Sequence, residues 1–264
     1  MELLLGFNAV EAALEAERRT VERVWVERGA GGRDRARVAR LKTLASKHAV
    51  PVEEVDRARL AQLAAGQPRS AHRGVVATVA TMPYADPVQI LDACGSDAIV
   101  LVLDEVEDPR NLGALVRTAA AVGAAAVFIP ERRSAGMSSA VARAAAGAVE
   151  RVPLSRIGNI SMFLRMLKDR GFWTVGLDAA ADRAWDQTSY PRRLALVVGG
   201  EGHGLRRLVR ESCDELVSIP LSRGVESLNV SVAAGVCLYE VLRQRRGAGA
   251  PGTGGGRGQS AEEG

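Results

Sequence analysis

Cysteine, aromatic residues and long apolar runs are scarce in this 264-residue chain, and each scarcity excludes a class of protein. The three cysteines form no CxxC pair and lie far apart, so we expect reduced thiols and no zinc framework. Aromatic residues make up 4%, too few for a base-stacking RRM or OB platform. No run approaches the roughly 18 apolar residues of a membrane helix, and the N-terminus lacks a secretory signal. We therefore expect a cytoplasmic protein without a membrane partner.

The chain does have the composition of an ordinary globular protein, with positive charge concentrated near its N-terminus. Hydrophobic residues make up 47% and charged residues 25%, and the length suits two domains. Between Arg18 and Lys47, ten Lys and Arg residues accompany three acidic ones. This run is either a solvated helix face or a patch that contacts phosphate, and composition does not separate the two. The candidate phosphate contacts are Arg18, Arg33, Arg35, Arg37 and Arg110.

The first eighty residues alternate short helices and strands, with Asn8 placed to cap the first helix. They predict a small α/β domain over residues 1–81. A linker rich in turn residues follows over residues 82–96, with a short helix at Val88–Ala93. The predicted helices are Ala9–Ala16, Arg33–His48 and Arg57–Ala65, and the predicted strands are Val21–Glu27, Val50–Val55 and Gly74–Thr81.

A regular α/β alternation over residues 97–246 predicts a parallel sheet covered by helices on both faces. Its first strand, Ala98–Leu103, is a continuous apolar run, as expected of a strand buried on both sides. Residues 247–264 contain eight glycines, and we expect them to form a disordered tail. The remaining predicted strands are Ala126–Pro130, Val149–Pro153, Phe172–Leu177, Leu194–Gly199 and Leu216–Leu221, and the predicted helices are Leu112–Val122, Val141–Ala146, Ile160–Arg170 and Val230–Arg246.

Three polar or glycine-rich segments follow strands of this sheet, where parallel α/β proteins bind ligands. They are Asp104–Arg117, Gly199–Leu205 and Ile219–Asn229. Each has a plain structural explanation as a helix cap or a turn, with Asn111, Ser227 and Asn229 as the capping residues. The glycine-rich segment is not GxGxxG, and GxxxxGK[ST] occurs nowhere in the chain, which disfavours nicotinamide dinucleotides and P-loop nucleotide hydrolysis.

Taken together, the three segments resemble the motifs of one family. They read NLGALVR at 111–117, VVGGEGHGL at 197–205 and IPLSRGVESLNVSVAAGVCLYE at 219–240. In this order they resemble the SpoU/TrmH family of RNA ribose 2′-O-methyltransferases, part of the SPOUT superfamily. Near the N-terminus, GFNAVEAAL at 6–14 and RGVVATV at 73–79 resemble the L30e-like RNA-binding domain of many members. The resemblance covers about residues 3–246.

The resemblance implies an α/β fold with a trefoil knot in the parallel-sheet domain, although general connection rules argue against knots. It implies that the knot loops bind S-adenosylmethionine, and that the substrate is RNA. Apolar side chains there would pack against the adenine, and the glycines would admit the cofactor. The implied cofactor residues are Gly199, Gly200, Gly202, Gly204, Ile219, Leu221, Leu228 and Asn229.

The resemblance also assigns catalytic roles. Arg117 matches the arginine that assists deprotonation of the ribose hydroxyl, and because arginine is almost always protonated, stabilising the developing alkoxide is its easier task. Asn111 and Glu201 match residues that position this arginine or the substrate, and Ser227 and Asn229 are expected to line the same pocket. We expect no metal, since the chain has no ligand cluster.

Within the family, the resemblance is closest to enzymes that methylate a guanosine of 23S ribosomal RNA and form homodimers through the knotted domain. His72-Arg73-Gly74 departs from the HQG expected in that group, which weakens the RNA assignment more than the chemistry. The alternatives are a tRNA ribose methyltransferase and an rRNA resistance methyltransferase. From another class comes a non-catalytic RNA-binding or ribosome-assembly protein.

Overall fold

The computed structural model describes residues 1–29 and 33–248, which form two sheets with their helices. The first sheet has the strand order β1-β4-β2-β3. Strands β2 and β3 run parallel, while β4 pairs antiparallel with both β1 and β2. Its elements are β1 (Glu2–Leu5), α1 (Phe7–Ala16), β2 (Val21–Glu27), α2 (Arg33–Lys47), β3 (Val52–Val55), α3 (Arg57–Leu63), α4 (Arg69–His72) and β4 (Val75–Val79).

The second sheet has six strands in the order β10-β8-β9-β5-β6-β7, all parallel. A short helix precedes it between the sheets. The elements are α5 (Pro87–Ala93), β5 (Ile99–Asp104), α6 (Pro109–Val122), β6 (Ala126–Pro130), α7 (Ser139–Ala145), a 3-10 helix (Ala148–Glu150), β7 (Leu154–Ile157), α8 (Ile160–Asp169), β8 (Trp173–Leu177), β9 (Leu194–Gly199), α9 (Arg207–Glu211), β10 (Glu215–Val217) and α10 (Val230–Ala248).

The two central strands of this sheet are buried on both faces. In β5, Leu101 and Leu103 belong to one apolar cluster, and Val100 and Val102 belong to the cluster on the opposite face. Successive side chains of a strand point to opposite faces, so a strand between two helix layers must be apolar at every position. The predicted α/β fold with a parallel sheet and a smaller N-terminal unit is confirmed, while the knot and the L30e likeness stay predictions.

Several predicted element boundaries were wrong at the ends of helices. Asn8 does not cap α1, because the helix begins at Phe7 after Gly6, whose φ of 87° favours glycine. The Asn8 side chain instead accepts a hydrogen bond from Arg37 at 2.6 Å. Asn111 does not cap α6 either, because Asp108 accepts from the backbone of Arg110 at 2.8 Å. Asn111 therefore lies in the first turn of α6, where its side chain makes contacts outside the helix.

Two predicted strands also differ. The strand predicted at Val149–Pro153 was wrong: its first residues form the 3-10 helix that packs against the N-terminal unit, and β7 begins at Leu154. The strand predicted to reach Leu221 ends at Val217, which leaves the next residues free to line a loop. Sequence reasoning missed β1, α4 and α9, which have only four or five residues each and so show little regular pattern. Of the tail predicted over 247–264, residues 249–264 lie outside the described residues.

The two units meet at a buried ion pair. Arg19 lies 2.5 Å from Glu150 across the contact, and Glu150 is fully buried. Burial raises the pKa of Glu150, against the opposing effect of the Arg19 hydrogen bond. Arg18 donates to the carbonyl of Val149 at 3.1 Å, and Arg151 pairs with Glu15 nearby. The 3-10 helix thus serves as the docking element for the N-terminal unit.

Candidate functional site

A cavity of about 550 Å³ opens at the carboxyl ends of β8 and β9. This is the edge at which parallel α/β sheets bind ligands, and the volume suits a small organic molecule. The lining comes from three loops brought together by the strand order. They contribute Leu177–Ala180, Val198–Gly204, Arg210, Ile219, Leu221, Glu226–Val230 and Ala233.

The loop after β9 folds tightly because two positions admit no side chain. A Cβ atom on Gly199 would lie 2.0 Å from the backbone carbon of Gly204, and one on Gly200 would lie 2.1 Å from the carbonyl oxygen of Glu105. The remainder of the loop therefore turns back on itself, and Gly204 donates to the Gly200 carbonyl at 3.2 Å. This turn exposes a rim of backbone toward the cavity.

A buried carboxylate that the sequence analysis missed holds this loop to the neighbouring strand. Asp104, at the end of β5, has no exposed surface. Its two oxygens accept from the backbone and the guanidinium of Arg206 at 2.9 and 2.7 Å. An aspartate directly after a continuous apolar strand is the signal that could have indicated it.

Three predicted site residues from three separate segments form one hydrogen-bonded chain at the cavity rim. The Asn111 side chain donates to Glu201, and Asn229 donates to Asn111 at 3.0 Å. The Asn229 oxygen accepts from the backbone and hydroxyl of Ser231 at 3.0 and 2.6 Å, which fixes the start of α10. The three polar segments are therefore parts of one site.

The predicted cofactor residues also line this cavity. The glycines of the loop do so together with three apolar side chains, Ile219, Leu221 and Leu228. Ser227 lies between them and is exposed to solvent. Polar backbone on one side and apolar side chains on the other suit a flat aromatic ring with polar substituents.

The sequence analysis also missed Asp178, a carboxylate that lines the cavity. Asp178, at the end of β8, is 8% exposed and accepts from the backbone of Ala180 at 2.9 Å. Its other oxygen lies 2.5 Å from Arg210. Because both charged groups line the cavity, they are available to a ligand that carries an amino and a carboxyl group.

The structure does not bring Arg117 to this cavity within one copy of the chain. Arg117 is exposed on α6 and lines a separate groove of about 350 Å³ between α6 and the N-terminal unit. Glu11, Glu15 and Arg151 line the same groove. The residue predicted to act on the ribose hydroxyl thus faces away from the cavity of its own chain.

The predicted phosphate contacts are dispersed rather than gathered in one patch. Arg18 is directed into the contact between the units, and burial lowers its pKa. Arg37 lies over the Phe7 ring at 4.5 Å and close to Glu11. Arg35 and Arg110 are exposed, and the side chain of Arg33 lies outside the described residues.

Half of the ten cations between Arg18 and Lys47 form ion pairs with acidic residues elsewhere in the N-terminal unit. Four further cations of the run have carboxylate partners that sequence separation hides. The pairs are Arg19 with Glu2, Arg23 with Glu53, Arg40 with Glu15, and Lys42 with Glu54. The local excess of charge in the sequence is therefore not an equal excess on the surface.

Over 1–29 and 33–248, no three His, Cys, Asp or Glu side chains are grouped to hold a metal ion. No helix in that part of the chain is long and apolar enough to cross a membrane. The three cysteines, all within it, are free thiols.

A glycine-lined cavity at the carboxyl edge of a parallel sheet defines an α/β protein that binds a small cofactor-sized ligand. Residues 98–239 match the model of the SpoU rRNA Methylase family, and residues 3–85 match that of RNA 2'-O ribose methyltransferase substrate binding. The chain therefore belongs to the SpoU rRNA methylase family, as its motifs predicted.

Individual relatives cover nearly the whole chain. The 23S rRNA (guanosine-2'-O-)-methyltransferase RlmB of Ralstonia nicotianae is 44% identical over 92% of this chain and 96% of its own. A crystal structure of an RNA 2'-O ribose methyltransferase is similar, with a TM-score of 0.73 and 28% identity over 92% and 88% of the two chains. The crystal structure of the SpoU methyltransferase AviRb from Streptomyces viridochromogenes in complex with AdoMet is also similar. Its TM-score is 0.74, with 25% identity over 92% of this chain and 90% of AviRb.

Proposed function

We propose that this protein transfers a methyl group from S-adenosylmethionine to a ribose 2′-hydroxyl of ribosomal RNA, at a guanosine of 23S rRNA. The observation that carries the proposal is the Asn111–Glu201–Asn229 chain at the rim of the cavity. It unites the three motif segments beside a space of suitable size. The 44% identity to a 23S rRNA guanosine methyltransferase, over 92% of this chain and 96% of the relative, supports the substrate. Because the proposed substrate is ribosomal RNA, a cytoplasmic location of the protein is part of the proposal.

The residues present fit S-adenosylmethionine. Backbone groups of the Gly199–Gly204 loop would hold the polar edge of the adenine, with Ile219 and Leu228 against its face. Asp178 and Arg210 would hold the amino and carboxyl groups of the methionine part. Bound there, the cofactor supplies an electrophilic methyl group.

The chain's own task is then to align the ribose and stabilise its developing negative charge. Asn111 is held by Glu201 on one side and Asn229 on the other, so its amide is fixed in orientation at the rim. A preorganised group of this kind costs no rearrangement when the reaction occurs. Arg117 would orient the neighbouring phosphate and stabilise the negative charge that develops on the 2′-oxygen.

We propose further that a homodimer completes the site, because Arg117 does not line the cavity of its own chain. Apolar side chains lie exposed on α10 and the loop before it, including Val225, Leu228, Val232 and Tyr239, which are 37–56% exposed. An exposed apolar patch of this kind marks a protein contact. Packing of this face against a second copy would allow the Arg117 of one chain to serve the cavity of the other.

The first experiment is transfer of labelled methyl from S-adenosylmethionine to unmodified 23S rRNA, with tRNA alongside, followed by nuclease mapping. A single 2′-O-methylguanosine in 23S rRNA is the expected result. Labelling of tRNA alone would overturn the substrate, and absence of cofactor binding would favour a non-catalytic RNA-binding protein.

A mixing experiment tests the dimer. Arg117→Ala and Asn229→Ala variants are each expected to be inactive. If the site is shared between copies, mixing and re-equilibrating them restores activity in heterodimers, up to about a quarter of the wild-type level by random assortment of chains. No restored activity in a verified heterodimer would contradict a shared site.

A further inference from the structure

Four arginines lie at the end of the first sheet where β2 and β3 finish and β4 begins. They are Arg28, Arg57, Arg69 and Arg73, and we name them the sheet-end cluster. All four are exposed, and three of them lie outside the basic run that the sequence analysis singled out.

Backbone hydrogen bonds hold the cluster together. The amide of Glu27 donates at 2.8 Å to the carbonyl of Gly74, the residue after Arg73. The amide of Arg28 donates at 2.8 Å to the carbonyl of Val55, two residues before Arg57. Arg69 reaches the Glu27 carboxylate with two nitrogens, at 3.2 and 3.3 Å. The sheet register therefore fixes the spacing of these charges.

The cluster keeps its charge, unlike the basic run. Among the described residues, neither Arg57 nor Arg73 has a carboxylate partner, whereas Arg23 and Arg40 of the run each have one. Within the cluster, Arg69 forms an ion pair with Glu27. Of the four guanidinium groups, those of Arg57 and Arg73 are thus left for an external anion.

Arg73 occupies a backbone conformation that does not suit it. Its φ is 47° and its amide donates to the carbonyl of Arg69 at 2.7 Å, so it ends α4 in the left-handed region that favours glycine. The preceding His72 is buried, and its Nδ1 accepts from the backbone of Gly74 at 3.2 Å. Burial lowers the pKa of His72. Arg73 is thus exposed, holds a left-handed turn and has no carboxylate partner in the described chain.

A cleft lies between the first sheet and the catalytic domain. It is lined by β1 and Gln67 on one side and by Ser139 and Arg143 of α7 on the other. Helix α7 follows the loop at the carboxyl end of β6, the same edge of the sheet that carries the cofactor cavity.

We propose that the sheet-end cluster, rather than the Arg18–Lys47 run, is the surface through which the N-terminal domain binds the phosphate backbone of the substrate RNA. Arginine forks match phosphate oxygens, and each phosphate contact adds a salt-dependent increment to affinity. This proposal rests on the proposed RNA substrate.

The test compares two double variants of the full-length protein that remove the same charge. Arg57→Gln/Arg73→Gln alters the cluster, and Arg23→Gln/Arg40→Gln alters paired arginines of the run. Binding of a 23S rRNA transcript is measured across a range of KCl concentrations. The cluster variant is expected to bind about tenfold more weakly near 0.1 M salt, with a logarithmic salt slope smaller by about 1.5. The control variant is expected to match the wild type.

A single variant separates binding from folding. Arg73→Gly relieves the left-handed strain, so its Tm is expected to rise while its RNA affinity falls severalfold. A merely structural Arg73 would leave RNA affinity unchanged when Tm rises. That result, or equal losses in the two double variants, would overturn the proposal.

Methyl transfer at saturating RNA separates this proposal from the proposed function. The cluster variant is expected to keep the wild-type kcat and to raise KM. If the wild type transfers no methyl group but the cluster variant still loses RNA binding, the proposed function fails and the cluster stands. If the wild type methylates rRNA and the cluster variant binds RNA as tightly as the wild type does, the proposed role of the cluster is refuted and the proposed function stands.

Discussion

The two sheets of this protein place their functional residues in opposite ways. In the six-stranded sheet, Asn111, Glu201 and Asn229 are far apart in sequence but form one hydrogen-bonded chain. In the four-stranded sheet, the cations between Arg18 and Lys47 are close in sequence but are directed to different carboxylates.

The difference has a topological cause. Parallel strands bring all their carboxyl ends to one edge, so every loop after a strand contributes to the same site. In the mixed sheet, α2 and the antiparallel pairs distribute neighbouring residues over several faces. Linear motifs are therefore a good guide to the site in the parallel sheet, and local charge is a poor guide to the binding surface of the mixed sheet.

The largest expected effect concerns the motif residue that does not join the cavity. Arg117→Ala is expected to lower methyl transfer by about 10²-fold or more, because a preorganised charge at the alkoxide is lost. Cofactor affinity should stay within about twofold, as measured by calorimetry. Arg151→Ala, in the same groove, is the control and should keep transfer near the wild-type rate. Equal losses would show that the groove as a whole matters.

The glycine loop provides the next test. Gly200→Ala places a Cβ against the Glu105 carbonyl and is expected to weaken S-adenosylmethionine binding by about 100-fold. Gly202→Ala meets no atom within 4 Å and only strains a positive φ, so it should cost about tenfold or less. The two dissociation constants measure the contrast, and similar values would refute the role of close packing.

The contact between the two units is expected to respond to pH. Glu150→Ala removes the buried carboxylate that pairs with Arg19 and should reduce the free energy of unfolding by about 3 kcal/mol. Because the pKa of Glu150 is raised, the folded state binds its proton more tightly than the unfolded state does. Stability of the wild type relative to Glu150→Gln should thus decline as pH rises from 4.5 through the folded pKa. Urea unfolding at several pH values tests this, and a rising difference would contradict it.

The smallest effect is expected at the surface of the mixed sheet. Arg40 is 68% exposed in its pair with Glu15, and such pairs contribute little. Arg40→Ala should change Tm by less than about 2 °C and leave the salt dependence of RNA binding unchanged. A reduced salt slope in this variant would restore the basic run as an RNA surface.

The sequence predicted the fold class, nearly all the longer elements and the cavity residues. The buried strands are recognisable because both faces must be apolar, and the glycines at 199 and 200 because a tight turn admits nothing else. It failed where tertiary contacts override local pattern. The segment after Gly147 forms a 3-10 helix against the N-terminal unit. Asp104 and Asp178 became functional candidates only when their loops were seen to meet.

The sequence by itself determined the order of the strands along the chain, the glycine-rich loops and the chemistry available in each segment, because these depend on side-chain type and local spacing. Only the tertiary structure decided which charges remain available and which cavity each residue faces. Those properties depend on strand order and on contacts between distant residues. Arg117 shows this most clearly, since the groove that it lines includes residues of the N-terminal unit far from it in the chain.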